Sequence, residues 1–428
     1  MKLSYYNFMS KCNSEGGILY NSKTGCMAKL DQTHYESFHS FVSQNIEISD
    51  KKFESELKQC GFIIEDDISE LEQIRYRLLQ SRFTSNMLSL VIAPTQNCNF
   101  RCTYCYEKEQ LANCSMNKKT QDNILEFVKK HITKITDLNI EWYGGEPLLE
   151  LNTIQYLSKE FEQLCNNNHV RYTSSMITNG YLLDEKVISI LNTCNISQLQ
   201  VTLDGIKATH DKRRMFKDGS GTFDIIVHNL SLCKLFFEGK VVLRINIDKK
   251  NLDEVEDVKE LLKTSGIDDY VTTYLGKVTN INNTCEESNC LQTYEFAERK
   301  LAYMLKKDSS DKYFQVNYPK PIGNCCGADF NMSYVIGPDG MMYKCYMEIG
   351  CVERAIGNIN DAKKSNKVAL LYRYMLFDPT EDIQCSKCKY LPLCLGGCPK
   401  SRFNGVHDCT EKKHYINAYM QYMLQQVK

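Results

Sequence analysis

Three cysteines stand close together in the run Thr95-Gln96-Asn97-Cys98-Asn99-Phe100-Arg101-Cys102-Thr103-Tyr104-Cys105-Tyr106-Glu107. Their spacing, C-x3-C-x2-C, places three thiolates on one loop. Such a loop can ligate three irons of a cubane 4Fe–4S cluster and leave the fourth iron open to a substrate's amino and carboxylate groups. A structural zinc site wants four closed ligands, and the zinc alternative for this loop borrows Cys114 as its fourth.

A second array lies late in the chain: Cys326-x13-Gly340-x4-Cys345, then Cys385-x2-Cys388-x5-Cys394-x3-Cys398, then Cys409. Cysteines at such intervals are far more specific than a single CxxC, although a pair of zinc ribbons is the alternative reading. The chain has 21 cysteines in 428 residues. In a secreted protein that number points to disulfides; in a cytosolic one it points to metal or cluster ligands. The scattered cysteines, among them Cys12, Cys26, Cys60 and Cys233, read as small buried apolar side chains.

The elements that must position these cysteines follow from periodicity. Strand-like segments at Leu88–Ala93, Leu138–Tyr143, Tyr172–Ile177, Leu199–Leu203, Val241–Ile247 and Tyr270–Tyr274 alternate with helical stretches at Gln121–Ile132, Ile154–Leu164, Glu185–Leu191, Phe223–Leu235 and Leu252–Leu262. Strands alternating with helices predict an α/β fold with a parallel sheet, in which polar groups at the C-terminal strand ends converge on one site. The first cysteine run follows the first strand directly. Four regions separate. Residues 1–86 read as a small α+β unit. It has a hairpin from Ile18–Asn21 to Met27–Leu30 about Thr24-Gly25, a helix carrying Phe53, Leu57 and Cys60 that stops at Gly61, and another carrying Leu71, Ile74 and Leu78. Residues 87–275 are the parallel array. Residues 276–320 form a bridge with one helix near Tyr294–Lys306. Residues 321–428 are cysteine-rich, close on a helix near Glu411–Gln426, and are sparse enough in apolar segments to need metal.

With this context the first run resembles the signature of the radical SAM superfamily, with aromatic Tyr104 before the last cysteine. The resemblance implies a partial (β/α)6 barrel. In it, a cluster on Cys98, Cys102 and Cys105 passes an electron to S-adenosylmethionine, giving methionine and a 5′-deoxyadenosyl radical that takes a hydrogen atom from the substrate. Tyr143-Gly144-Gly145-Glu146-Pro147 resembles the family's GGEP motif. There glycines admit a close approach and strand-edge carbonyls accept from the methionine ammonium. Ser175-Met176-Ile177-Thr178-Asn179-Gly180 resembles the segment that contacts ribose and carboxylate, and Thr202-Leu203-Asp204-Gly205 with His210, Asp211 and Arg214 resembles the next family block. Arg214 is a candidate carboxylate partner by charge and fork geometry; Asn246 is a further candidate. Taken bare, Asp204 reads as a turn residue before glycine and His210 as a helix-start or surface histidine.

The late array resembles the SPASM domain, which carries up to two auxiliary 4Fe–4S clusters. Carried over by position, Cys326, Cys345 and Cys398 hold the first, with Cys325 competing with Cys326, and its fourth iron either takes Cys351 or stays open for substrate. Cys385, Cys388, Cys394 and Cys409 hold the second. The N-terminal unit looks like the leading, winged-helix-like region of enzymes that mature ribosomally made peptides, where a leader adds as a strand to a sheet edge; a plain barrel-capping domain is the alternative. The resemblance therefore implies a radical SAM/SPASM peptide maturase served by a low-potential electron donor. Its precursor peptide would be cysteine-rich and its product a thioether. In that scheme a substrate thiolate attacks the carbon radical and the auxiliary clusters take the surplus electron. Anaerobic sulfatase maturation to formylglycine is an alternative, though those relatives place Asp where this chain has Tyr346. Carbon–carbon or carbon–oxygen crosslinking is a second, and a zinc-stabilised binding protein a third. No catalytic acid or base is identified.

Bulk numbers exclude other classes. Net charge is −1, so charge gives no sign of nucleic acid, and Lys pairs such as Lys118–Lys119 and Lys129–Lys130 read as solvated helix faces. No stretch approaches the ~20 apolar residues of a membrane span. Met1–Ser10 has no apolar core, so the sequence reads as cytoplasmic.

Overall fold

The computed structural model describes all residues except 13–15, 281–285, 307–317, 362–367 and 427–428. The chain forms two compact units. One joins Met1–Arg82, Gln292–Asp329 and Leu376–Lys428; the other joins Phe83–Leu291 and Phe330–Met375.

In the first unit, β1 (Lys2–Leu3) pairs antiparallel with β5 (Ile63–Ile64), and β2 (Asn7–Cys12), β3 (Gly16–Asn21) and β4 (Met27–Leu30) make an antiparallel sheet with β3 in the middle. The β3–β4 hairpin is the one the sequence predicts; β2 is an addition. Helices α1 (Gln32–Gln44), α2 (Lys51–Cys60) and α3 (Glu70–Phe83) follow. Gly61 ends α2 in the left-handed region at φ 76°, where glycine carries no Cβ penalty. Side chains on a strand alternate in direction, so β3 serves two cores. Leu19 packs with Tyr35, Phe38, Phe53 and Leu57. Ile18 and Tyr20 pack with Ala297, Met304, Tyr415, Ile416 and Tyr419.

The second unit holds the parallel array: β6 (Met87–Ile92), β7 (Asp137–Trp142), β8 (Arg171–Ile177), β9 (Ile196–Thr202), β10 (Lys240–Ile247) and β11 (Val271–Lys277), each parallel to the next. Helices α4 (Lys118–Ile132), α5 (Leu151–Asn168), α6 (Glu185–Thr193), α7 (Lys207–Arg213), α8 (Phe223–Phe236) and α9 (Val255–Thr264) lie between them in sequence. This is the predicted partial (β/α)6 barrel. On the other side of β6 the sheet continues through β12 (Ser333–Ile336), parallel to β6, and the short antiparallel β13 (Met341–Tyr343) and β14 (Gly357–Asn358).

A parallel sheet covered on both faces needs near-continuous apolar strands. These strands alternate instead. Leu88, Leu90, Ile92, Leu138, Ile140 and Trp142 are buried, and that face takes the helices, as Phe161 of α5 against Tyr172 shows. The opposite face carries Glu141, Ser175, Gln200, Arg244, Asn246 and Tyr274 and is the polar lining of the barrel. Cys165, Cys194, Cys233 and Cys290 are buried as small apolar residues. Cys26 and Cys60 correct that expectation: the hairpin end meets the end of α2, and the two are joined in a disulfide with Cα atoms 5.5 Å apart. Among the described residues no helix is long and apolar enough to cross a membrane.

Candidate functional site

The cysteine loop begins just past β6. Its base is closed by Cys114, whose carbonyl accepts from Thr95 Oγ1 at 2.8 Å and from the Gln96 N–H at 3.0 Å. The loop is seated on the turn after β7. A Cβ at Gly144 would lie 2.4 Å from the Thr95 carbonyl oxygen, and one at Gly145 2.2 Å from that of Asn97. The Gly145 and Glu146 N–H groups donate to those same carbonyls at 3.1 and 2.9 Å. The two glycines therefore admit backbone of the cysteine loop itself. Within the loop the Phe100 N–H donates to Cys98 Sγ at 3.4 Å.

The three thiols crowd one another. Burial, then Glu146, pushes Cys98 up, with Cys102 and Cys105 adding to it. Burial raises Cys102 while the Arg214 guanidinium opposes it. Burial and Cys102 push Cys105 up to about 12. The Cys114 thiol instead feels burial and Asp339, so it is not gathered with the three as a zinc ligand would be. Three clustered thiols with a cation beside one of them fit a cluster that keeps an open iron.

Glu146 is fully buried. Its carboxylate accepts from Thr178 Oγ1 at 2.7 Å, the Asn179 N–H at 2.8 Å and the Leu148 N–H at 3.1 Å. Those bonds tie the ends of β7 and β8 together, and Pro147 opens the 3-10 turn that follows. Asn179 Nδ2 donates to Asn99 Oδ1 at 2.7 Å, joining the β8 end to the cysteine loop. Ser175 lies on the inner face, paired with Glu141.

Tyr104 reaches the other side of the barrel. Its hydroxyl donates to Asp204 Oδ2 and accepts from Arg214 Nη1 at 2.9 Å and Asn246 Nδ2 at 3.1 Å. Asp204 is fully buried, takes the Asn246 N–H at 2.9 Å and lies 3.7 Å from Arg213 Nε. Arg213 also pairs with Asp248 at 2.6 Å. His210 is buried rather than at the surface. The structure thus brings Tyr104, Asp204, Arg214 and Asn246 into one cluster beside Cys102, and sets Gly144, Gly145, Glu146, Pro147 and Asn179 under the loop.

The sequence assigns no structural partner to several residues at the site. Tyr143 and Tyr346 pack with their rings tilted by 51° and their centroids 5.3 Å apart, and the Tyr106 ring lies 6.4 Å from that of Tyr346. Tyr143 is close to Cys105, Cys345 and Arg244, and burial holds its phenol far above the usual range. The neighbours of Cys105 and Cys345 therefore meet through their rings. Glu107 is buried and pushed up to about 8 by that burial.

The late cysteines divide between the units. Cys345 and Cys351 belong to the barrel unit and the rest to the first unit. There Cys385 feels Cys394 and Cys388, and Cys394 feels Cys388 and Cys409, so the four proposed for one site gather. Asp382 Oδ1 accepts the Cys385 N–H at 2.9 Å, and His407 lies nearby. Cys325 and Cys326 both feel Cys398. Beside them Arg402 pairs with buried Asp329 at 2.8 Å.

A partial parallel barrel with a three-cysteine loop at its first strand defines the class: an iron–sulfur enzyme with an open-iron cluster. Residues 92–262 match the radical SAM superfamily, so the chain carries a radical SAM domain and is an enzyme that works with a 4Fe–4S cluster and S-adenosylmethionine. The sequence is 26% identical over 349 residues to a cysteine-type anaerobic sulfatase-maturating enzyme of Clostridium novyi, covering 75% of this chain and 91% of that one. The solved structure of anSMEcpe with bound AdoMet and Cp18Cys peptide superposes with TM-score 0.62 at 19% identity, covering 80% of this chain and 100% of that one. SuiB of Streptococcus suis bound to precursor peptide SuiA superposes with TM-score 0.53 at 15% identity, covering 96% and 98%. At such identities the two structures speak for the fold.

Proposed function

We propose that this radical SAM enzyme is a SPASM-type peptide maturase that joins a cysteine sulfur of a ribosomally made precursor to a carbon of another residue. When bound, the cluster and S-adenosylmethionine supply a radical that removes a carbon-bound hydrogen. Cys98, Cys102 and Cys105 hold the cluster on a loop fixed by Gly144 and Gly145, and Arg214 beside Cys102 takes the cofactor's carboxylate. Cys385, Cys388, Cys394 and Cys409 hold auxiliary iron, and the N-terminal unit takes the leader. The observation that carries the reading is the meeting of Tyr106 and Tyr346: it sets the reducing-cluster loop and the Cys345 loop against one space.

The Clostridium novyi relative favours a second reading, oxidation of a cysteine to formylglycine. Against it, Tyr346 occupies the place where such enzymes resemble one another in having Asp. A short cysteine-rich peptide encoded beside the gene, co-expressed anaerobically, should lose two hydrogens and one alkylatable thiol by mass spectrometry. A sulfatase peptide that loses sulfur and gains oxygen would establish the second reading instead.

The cofactor assignment is tested by content. Reconstituted protein should carry about twelve irons and release 5′-deoxyadenosine with dithionite and S-adenosylmethionine. Replacing Cys98, Cys102 and Cys105 with Ala should remove about a third of the iron and all the 5′-deoxyadenosine. Nucleoside still released by that variant would refute the assignment of the reducing cluster.

A further inference from the structure

Arg244 stands on the inner face of β10 and, among the described residues, belongs to no ion pair. Its Nε donates to Asn246 Oδ1 at 2.6 Å, and Nη1 reaches the Tyr274 hydroxyl at 3.4 Å. Tyr274 in turn donates to Gln200 at 2.7 Å. The groups that act on the guanidinium are the phenols of Tyr274, Tyr346 and Tyr104; among the described residues it has no carboxylate partner. β11 makes room for it: a Cβ at Gly276 would lie 2.5 Å from Arg244 Nε and 2.8 Å from Nη2. A glycine inside a strand marks such a close approach.

A half-buried cation without a counter-charge is costly, because desolvation is not offset by attraction. Two other arginines of this unit are neutralised, Arg213 by Asp204 and Asp248 and Arg171 by Asp137. A phenol is neutral at neutral pH, and burial holds Tyr104 and nearby Tyr143 further above that range, so the rings around Arg244 bring no charge. The cofactor has one carboxylate, and Arg214 stands beside Cys102 to receive it. That leaves Arg244 on the side of the lumen that faces Tyr143 and the Cys345 loop.

We infer that Arg244 is a substrate-binding residue that pairs with a carboxylate of the bound peptide, from an acidic side chain near the reacting residue or from the chain end. The guanidinium fork suits a carboxylate held by two hydrogen bonds. Asn246 and Tyr274 orient the fork, and Gly276 leaves it space. This deepens the peptide-maturase reading and rests on it.

The test uses reconstituted enzyme with S-adenosylmethionine under anaerobic conditions. The probe is a mixture of short synthetic peptides with one fixed cysteine and random flanks, prepared with free and with amidated carboxyl ends. Peptides retained by the enzyme are sequenced by mass spectrometry. Enrichment of Asp or Glu at one offset from the cysteine, by about tenfold as one charge-assisted pair supplies, identifies a side-chain carboxylate. Preference of similar size for the free-ended mixture, with no such offset, identifies the chain end. Arg244→Gln should abolish whichever preference appears, and Arg244→Glu should turn a side-chain preference toward Lys or Arg. A wild-type enzyme that retains peptides with no acidic or end preference overturns the inference, and this arm needs no variant to fold. So does an Arg244→Gln enzyme whose peptide preference is unchanged while its S-adenosylmethionine dissociation constant rises tenfold, since that assigns the guanidinium to the cofactor. Retention of no peptide at all would instead sink the maturase reading, and this inference with it.

Discussion

Four hydrogen-bonding groups between Asp204 and Thr222 fix a protonation state. The Asp204 N–H donates to His210 Nδ1 at 3.1 Å, so that nitrogen is bare. The proton therefore sits on Nε2, which donates to Thr222 Oγ1 at 3.2 Å, and Thr222 donates to the Arg214 carbonyl at 2.7 Å. Burial, then the charges of Arg214 and Arg213, depress the histidine to about 2. His210 is thus a neutral brace that holds the Asp204 turn against the arginine backbone, and it has no proton to exchange at working pH. Stability must follow. The unfolded chain protonates this histidine below about pH 6.5, while the native state does so only near pH 2. The unfolded state binds the extra proton throughout that window, so stability is full above it and falls as pH drops. Between pH 7.5 and 5.5 the contribution lost is about 1.4 kcal/mol. Urea titrations at the two pH values should show that loss in the wild type and not in His210→Gln. An equal slope in both proteins would mean that another group carries it.

At the scale of elements, the six barrel strands and five of the helices between them were legible, because strands such as β6 and β7 alternate strictly and those helices carry an apolar face, as in the buried Ile124, Leu125, Val128 and Ile132 of α4; the seven-residue α7, whose buried side chains are His210 and Arg213, was not. β12, β13 and β14 were not, since segments of two to four residues show no period; they exist because β6 offers them an edge. Gly144 and Gly145 were legible as a close approach, while the identity of what approaches was not. Tyr104 was legible only as an aromatic, because its partners lie 100, 110 and 142 residues away. The glycine pair makes a prediction of its own. Gly145→Ala drives a methyl against the Asn97 carbonyl, one residue from Cys98, and a backbone atom cannot swing aside as a side chain can. Overpacking of this kind costs about 1–3 kcal/mol, and the loop is the part that must yield. Reconstituted Gly145→Ala should lose 5′-deoxyadenosine formation and the reducing cluster's iron while keeping the auxiliary iron. Full iron with normal cleavage would mean that the loop tolerates the shift.

Across the whole molecule, the first unit is assembled from three segments far apart in sequence, and they are not held alike. The closing helix α14 (Lys412–Gln426, numbered after α10 to α13 at Thr293–Lys306, Val368–Met375, Leu391–Cys394 and Pro399–Phe403) packs Tyr415, Ile416, Tyr419 and Met420 onto Ile18 and Tyr20 of β3. Burial of that size holds a helix without help. The preceding stretch is different. Its helices α12 and α13 are four and five residues long, too short to form on their own. Leu391 and Leu395 are anchored in a small core with Tyr6, Ile74 and Leu78, but the turns around Cys385, Cys388 and Cys409 have half-exposed or exposed side chains. Metal that binds only the folded arrangement supplies folding free energy there. Stripping the iron with a chelator should therefore speed amide exchange at residues 382–411 by about tenfold or more, the signature of local opening made easier by 1.4 kcal/mol, while β3 and α14 keep their protection. If the whole unit loosens together, the clusters hold up the cores as well. If residues 382–411 stay protected, the leucine anchors suffice and metal does not hold this stretch in place.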